Sequence, residues 1–132
     1  MRKDNIYLHR GTSNDPNIKY LTGMGEDVDI SDKFYIIKYK DKIIALIGRV
    51  DKRKLEQNCD LSRIITFGEY SNADIRGNIK KETNVLTKFL NEYKEYSFIT
   101  GPKFPSYIFN QLSDKYDINS LSENPISQKK KN

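Results

Sequence analysis

The strongest constraint on the fold is a pair of apolar runs separated by a short polar segment. Residues 34–38 (FYIIK) and 43–47 (IIALI) are rich in β-branched and aromatic side chains, which favour strands. The segment between them, YKDK, is short enough to join neighbouring antiparallel strands. The sequence therefore predicts a hairpin, and the fold of this chain must include a sheet built around it.

Further β-like runs alternate with helical segments along the chain, and this order predicts an α/β layer structure. The predicted fold class is a three-layer α/β domain, with a mixed sheet of five or six strands flanked by helices. The expected additional strands are residues 6–9, 63–67, 96–100 and 118–121, and the expected helices are residues 16–22, 51–55, 72–93 and 105–116. Asp51 is the expected cap of the second helix.

The longest predicted helix covers residues 72–93, because its apolar residues recur at helical spacing. Ser71 and Asp74 are interpreted as a capping box at its start, and Gly77 should weaken its first turns by up to ~1 kcal/mol. Its two acidic residues, Glu82 and Glu92, are expected to form surface pairs with neighbouring lysines on the same helix. The expected lysine partners are Lys80, Lys81 and Lys88, and the expected apolar face is Ile75, Ile79, Leu86, Phe89, Leu90 and Tyr93.

Size and cysteine content indicate one domain in a reducing compartment. The chain has 132 residues and a single cysteine, Cys59, so an internal disulfide is excluded. No apolar run approaches the ~18 residues of a membrane-spanning helix, and no signal-peptide core follows the first four residues. We therefore expect a cytoplasmic protein without a membrane partner.

The net charge of +5 raises the question of nucleic-acid binding. Most of the excess lies near the two ends, including Lys129, Lys130 and Lys131, whereas residues 5–128 hold 18 Lys and Arg against 17 Asp and Glu. A nearly neutral body is a weak footprint for phosphate binding, so nucleic acid is not an expected partner. An RNA-binding alternative rests on aromatics such as Tyr35 and Tyr39 and would require strongly salt-dependent affinity.

Few residues could carry catalysis or bind a metal. His9 and Cys59 could form a Cys–His pair, although a histidine on a core strand is more often packed and hydrogen-bonded. A zinc site would need further ligands of these two types. The acidic stretch lacks the spacing of a calcium loop and is interpreted as a surface loop; it contains Glu26, Asp27, Asp29 and Asp32. We assign no catalytic residue, metal ligand or cofactor to this chain.

The stretch DPNIKYLTG, residues 15–23, predicts a short helix with clear ends. Asp15 or Ser13 can accept hydrogen bonds from the first turn, and Pro16 suits the first helical position. Gly23 can adopt the left-handed conformation that ends a helix. The acidic, aperiodic residues that follow are expected to form a surface loop.

The same stretch resembles a segment in the amino-terminal domain of the creatinase/prolidase/aminopeptidase P family. The family pattern is an Asn or aromatic residue, then Tyr-Leu-Thr-Gly and an apolar residue, and the order of predicted elements agrees with it. The matching positions, interpreted as a structural family signature, are Asn17, Tyr20, Leu21, Thr22 and Gly23. Tyr20 and Leu21 are expected on the buried helix face and Gly23 at the helix stop. The resemblance implies the creatinase amino-terminal fold, with its ribonuclease H-like motif.

In that family the domain precedes a larger catalytic domain of the pita-bread fold. The resemblance therefore implies that residues 1–126 form the amino-terminal domain and that residues 127–132 are a basic tail or the start of a linker. The catalytic domain, absent here, would hold two divalent ions, Mn or Co, with two Asp, two Glu and one His. The chain alone is expected to be inactive, with the parent enzyme cleaving Xaa-Pro bonds either as a dipeptidase or as an aminopeptidase.

The implied role of the domain is to support dimerisation and to shape the active-site cleft. Its expected partners are its own catalytic domain, a second subunit in a homodimer and, through the parent enzyme, proline-containing peptides. The alternative is a catalytically inactive protein-interaction domain of the same fold.

Overall fold

A computed structural model describes residues 5–121 and shows six strands and four α-helices in that range. Short 3₁₀ turns at Phe67–Glu69 and Asn91–Tyr93 flank the third helix. In chain order the elements are β1 (Asn5–Gly11), α1 (Pro16–Thr22), β2 (Phe34–Tyr39), β3 (Lys42–Ile47), α2 (Arg49–Asn58), β4 (Arg63–Thr66), α3 (Ile79–Leu90), β5 (Ser97–Thr100), α4 (Ser106–Ser113) and β6 (Ile118–Ser120).

The strands form one mixed sheet in the order β4-β3-β2-β1-β5-β6. β2 pairs antiparallel with both β1 and β3, whereas the β1–β5, β3–β4 and β5–β6 pairs are parallel. Tyr39 pairs with Lys42, so the predicted hairpin is confirmed and its turn is reduced to Lys40 and Asp41. Lys40 adopts a positive φ of 55° in that turn.

The helices cover the sheet on both faces, which gives the predicted three layers. α3 and α4 pack on one face, where alternate residues of every strand contribute to the larger core. α1 and α2 pack on the other face together with part of the loop after α1. The buried apolar residues that helices contribute to the first face are Val85, Leu86, Phe89, Leu90, Ile108 and Leu112, and those of the second are Ile18 and Leu55.

After the two central parallel strands, β1 and β5, the chain continues on opposite faces of the sheet. β1 is followed by α1 on one face, and its neighbour β5 is followed by α4 on the other. The loops after β1 and β5 therefore diverge at the carboxyl ends of these strands. In open α/β sheets, such a switch point leaves a crevice in which ligands commonly bind.

The longest helix starts later than its apolar periodicity predicts. α3 begins at Ile79, and the residues from 72 to 78 form turns and bends. Gly77 has φ +71°, a left-handed conformation that breaks the helix on its amino-terminal side. Asn78 then caps α3, with its side-chain oxygen accepting a hydrogen bond from the backbone N–H of Lys81 at 3.1 Å.

Two of the predicted helix caps are wrong. The Ser71 hydroxyl accepts a hydrogen bond from the Ala73 N–H at 3.2 Å, and Asp74 binds Arg76, so both residues form local turns instead of a capping box. Gly48 is the residue that precedes α2, and Asp51 lies within its first turn. Asp51 can still interact favourably with the helix dipole there.

Candidate functional site

The switch point opens into a crevice of about 340 Å³. It is lined by the last residues of β1, the first residues of α1 and the loop of residues 101–104 after β5. Ionisable side chains stand on both of its sides: His9 and Asp15 belong to one hydrogen-bond network, and Arg10 belongs to another.

The network on the α1 side is centred on His9. The His9 Nε2 donates to Asp15 Oδ2 at 2.9 Å, and the Tyr7 hydroxyl lies 3.0 Å from His9 Nδ1, where it can donate to a neutral ring. Asp15 Oδ1 accepts the backbone N–H of Asn17 at 2.8 Å, so Asp15 also caps α1 as predicted. His9 is therefore a packed, hydrogen-bonded residue.

The surroundings of the Asp15 carboxyl favour its ionised form. Partial burial raises the pKa of its carboxyl, but the hydrogen bond and charge of His9 and the backbone N–H groups of α1 outweigh burial and leave the pKa below the ordinary value of 3.8. Gly11 makes this arrangement possible, because a Cβ at that position would lie 2.7 Å from Asp15 Oδ2. A residue with a side chain at position 11 would displace the carboxylate.

The network on the α3 side joins Arg10, Glu82 and Tyr35. Arg10 donates from Nε to Glu82 Oε2 at 2.5 Å and from Nη2 to Oε1 at 3.1 Å. The Tyr35 hydroxyl donates to Glu82 Oε2. Glu82 is only 8% exposed, so the predicted surface pairs with Lys80, Lys81 or Lys88 are wrong for this residue. The three side chains connect β1, β2 and α3.

Burial and mutual charge set the ionisation of this network. Burial lowers the pKa of Arg10, but the hydrogen bonds and charge of Glu82 outweigh it and raise the pKa overall. Burial and the negative charge of Glu82 raise the pKa of Tyr35 well above its ordinary value. Tyr35 therefore stays protonated and keeps donating to Glu82.

The sequence contains two signals for this network that the charge pattern obscured. Arg10 lies at alternate spacing after Ile6 and Leu8, so it shares their buried face of β1. Glu82 stands three residues after Ile79 and four before Leu86, which places it on the apolar face of α3. Glu92 pairs with Arg63 on β4, whose Nη1 lies 3.3 Å from Glu92 Oε2, so the predicted pairing of Glu92 with lysines of its own helix is also wrong.

The residues of the expected family signature lie in different environments. Asn17 lines the crevice, and Leu21 packs partly buried on the α1 side of the sheet. Tyr20 is 51% exposed, so its expected burial on the helix face is wrong. The Thr22 hydroxyl donates to the Ile18 carbonyl at 2.7 Å.

Gly23 ends α1 as predicted. It has φ +72°, and its N–H donates to the Lys19 carbonyl at 2.8 Å. This confirms the helix stop, whereas the value of the five residues as a family signature stays a prediction.

The other candidates from the sequence do not join the crevice. Burial raises the pKa of the Cys59 thiol, which interacts with Thr22, while both ring nitrogens of His9 are engaged by Tyr7 and Asp15. A Cys–His pair is therefore not formed. The predicted surface loop is confirmed by the exposure of all four of its acidic residues, Glu26, Asp27, Asp29 and Asp32.

Two further properties concern the described part of the chain. Among residues 5–121, no group of three or more His, Cys, Asp or Glu side chains is arranged to hold a metal ion. No helix in the same range is long and apolar enough to cross a membrane. The predicted basic tail at residues 127–132 lies outside the described residues.

Solved structures share this fold. The aminopeptidase P (Xaa-Pro aminopeptidase) from Streptococcus thermophilus is 15% identical with a TM-score of 0.64, covering 98% of this chain and 86% of that chain. The N-terminal domain of Xaa-Pro dipeptidase from Lactobacillus brevis is 11% identical with a TM-score of 0.57, covering 98% and 89%. The X-Pro aminopeptidase from Thermotoga maritima MSB8 is 12% identical with a TM-score of 0.61, covering 89% and 31%.

These likenesses define a class of domain. The chain has the three-layer α/β fold of the amino-terminal domain of prolidase-type enzymes, which confirms at the level of the fold the resemblance carried by residues 15–23. It spans 28% of the prolidase from Pyrococcus horikoshii OT3 and 31% of the Thermotoga enzyme. No protein-family model and no curated protein matches the chain.

Proposed function

We propose that this chain is the amino-terminal accessory domain of an Xaa-Pro peptidase of the creatinase/prolidase/aminopeptidase P family. The observation that carries the proposal is the match, over 98% of this chain, to a solved structure that is itself the N-terminal domain of an Xaa-Pro dipeptidase. The Tyr-Leu-Thr-Gly stretch at the end of α1 supports the same assignment independently of the fold. At 7–15% identity the likeness shows the fold, so the activity is an inference.

In this proposal, catalysis belongs to a second domain. Two divalent ions, Mn or Co, would be held there and would activate the water that cleaves a proline-containing peptide. The domain described here would contribute a wall of the cleft and a surface for a second subunit, which together limit the size of the substrate. The proposed location is the cytoplasm.

Sequencing the parent gene beyond Asn132 tests this proposal most directly. We expect the reading frame to continue into a domain with two Asp, two Glu and one His as metal ligands. A continuation that keeps the domain but lacks these ligands would favour the alternative, a catalytically inactive protein-interaction domain. A stop codon directly after Asn132 would contradict the accessory-domain role within a single chain.

An activity assay provides a second test. The purified chain should not hydrolyse Xaa-Pro peptides with added Mn or Co, whereas the parent protein should, and chelation should abolish that activity. Chelator-sensitive turnover by the chain alone would contradict the assignment of catalysis to another domain. Light scattering of the parent with and without residues 1–126 tests the proposed dimer, which should dissociate when the domain is removed.

A further inference from the structure

The crevice carries opposite charges on its two sides. On the α1 side, the Asp15 carboxylate is half-buried, ionised and hydrogen-bonded to His9. On the other side, Arg10 lines the crevice at the end of β1 and Lys103 lines it from the loop after β5. A ligand in this crevice therefore meets a negatively charged hydrogen-bond acceptor at one end and positively charged hydrogen-bond donors at the other.

We propose that this crevice binds a small zwitterion, a free α-amino acid or a dipeptide. Its ammonium group would lie against Asp15, and its carboxylate would lie against Lys103 and Arg10. The inference goes beyond the accessory-domain role and does not depend on it, because it rests on the geometry of residues 8–17 and 101–104.

The local charges balance, which selects for a ligand without net charge. Arg10 and Lys103 supply two positive charges, and Asp15 and Glu82 supply two negative charges. A phosphate or polyphosphate would place two or more negative charges beside Asp15. Of Arg10 and Lys103, the two basic residues that line the crevice, Arg10 is already paired with Glu82, and Lys103 has no carboxylate partner among residues 5–121. A molecule with one ammonium and one carboxylate matches both sides without leaving a charge uncompensated.

The groups have hydrogen-bonding capacity left for a ligand. The Asp15 carboxylate accepts hydrogen bonds from His9 and from the backbone N–H groups of Asn17 and Ile18, and a carboxylate offers about four acceptor positions. The Arg10 guanidinium has about five N–H donors; Glu82 engages two of them, and Tyr35 also interacts with this group. Lys103 is exposed and offers three donors.

The size and remaining lining of the crevice fit a molecule of this class. Its volume of about 340 Å³ is at the lower end of the ~300–1,000 Å³ of ligand pockets, which suits an amino acid or dipeptide better than a nucleotide. Pro16, Pro102 and Phe104 add apolar surface. An apolar side chain on the ligand would be covered by these residues, so leucine is a suitable probe.

Titration of the full chain by nuclear magnetic resonance tests the proposal. L-leucine or glycyl-L-leucine should shift the backbone amides of Asn17 and Gly101, and the tighter of the two identifies the ligand as an amino acid or a dipeptide. N-acetyl-L-leucine lacks the ammonium and L-leucinamide lacks the carboxylate, so each should bind about tenfold more weakly than leucine, as expected for loss of one charged hydrogen-bonded contact. Equal affinity for L-leucine, N-acetyl-L-leucine and L-leucinamide, or no shift at these amides with L-leucine or glycyl-L-leucine, would overturn the proposal.

Three variants assign the contacts. Lys103→Gln removes an exposed charge and should weaken leucine binding about tenfold. Asp15→Asn keeps a side chain that caps helices equally well and should weaken it similarly. Lys94→Gln is the matched control, because Lys94 is exposed before β5, at the opposite end of that strand from the crevice. Unchanged binding in both crevice variants, or equal loss in the control, would contradict the assigned site.

Discussion

Two arginine–carboxylate pairs in this molecule have similar hydrogen bonds and very different surroundings. Arg10 holds Glu82 through Nε and Nη2, and the two side chains are 17% and 11% exposed. Arg76 holds Asp74 in the same manner, at 3.1 Å and 2.8 Å, but the side chains are 67% and 61% exposed. The first pair joins residues 72 positions apart, and the second joins residues two positions apart.

These two pairs show that similar hydrogen-bond geometry does not imply a similar contribution to the free energy of unfolding. An exposed pair replaces favourable hydration with a contact of similar free energy, so it contributes little. A pair two residues apart also forms readily in the unfolded chain, which removes its benefit to folding. Loss of one partner from a buried pair leaves an uncompensated charge, so the Arg10–Glu82 contact should matter far more than its distances alone suggest.

The largest expected effect is that of Glu82→Ala. Removing the carboxylate leaves the Arg10 guanidinium without its partner, and we expect a loss of about 3 kcal/mol in the free energy of unfolding, the lower end of the range for buried pairs because Arg10 also borders the crevice. Urea unfolding measures it. The triple variant Arg10→Met, Tyr35→Phe, Glu82→Leu, which also removes the hydroxyl that Glu82 accepts from, should recover most of this loss, and a Glu82→Ala variant as stable as the parent chain would contradict the comparison.

A smaller effect is expected for Tyr35→Phe. The ring should keep its packing, including the tilted contact with Phe104 at 6.5 Å between ring centroids, but the hydroxyl that donates to Glu82 is lost. The expected cost is about 1–3 kcal/mol, the range for a buried acceptor that loses a hydrogen bond. Tyr107→Phe, on α4 at a position that is 39% exposed, is the control and should leave the urea midpoint unchanged.

The His9–Asp15 pair lies between these extremes, with side chains 13% and 26% exposed. Because the pKa of Asp15 is lowered in the folded chain, its contribution to stability is present above the ordinary pKa of 3.8 and is lost as pH falls through the folded value. Asp15→Asn should therefore flatten the decline of stability with falling pH in this acidic range. Thermal melts at a series of pH values measure the slope, and an Asp27→Asn control in the exposed loop should keep the steeper decline.

The smallest effect is expected for Asp74→Asn. The hydrogen bonds from Arg76 lower the pKa of Asp74 to about 2, a large shift for a surface carboxyl. We nevertheless expect no measurable change in the urea midpoint at neutral pH, because both side chains are hydrated and close in sequence. A destabilisation comparable with that of Glu82→Ala would show that burial is not what distinguishes the two pairs.

Local sequence signals predicted the elements whose ends are set by local contacts. The hairpin and α1 were correct because β-branched runs, the Asp15 cap and the Gly23 stop act within a few residues. The start of α3 was missed because Ile75 continues the apolar period through Gly77, and only the backbone conformation of that glycine shows the break. Periodicity alone does not distinguish a helix turn from a buried residue in the preceding loop.

The charged contacts at the crevice were missed for a different reason. Glu82 is surrounded in sequence by lysines, and its actual partner lies 72 residues away on β1. Tyr20 was expected on the buried helix face together with Leu21 as part of the family-like stretch, but a seven-residue helix buries only a narrow stripe, here Ile18 and Thr22. Such contacts depend on which strands become neighbours, and that is set by the whole sheet.

The central position of β1 also has a consequence for folding kinetics. Its pairing with β2 closes only the connection of residues 12–33, whereas its pairing with β5 joins Asn5 to Ser97 across most of the chain. Non-local parallel pairing carries a larger loop-closure entropy and forms slowly. We therefore expect β1, β2 and β3 to assemble first, and the crevice, which needs both β1 and the loop after β5, to close only in the last stage of folding.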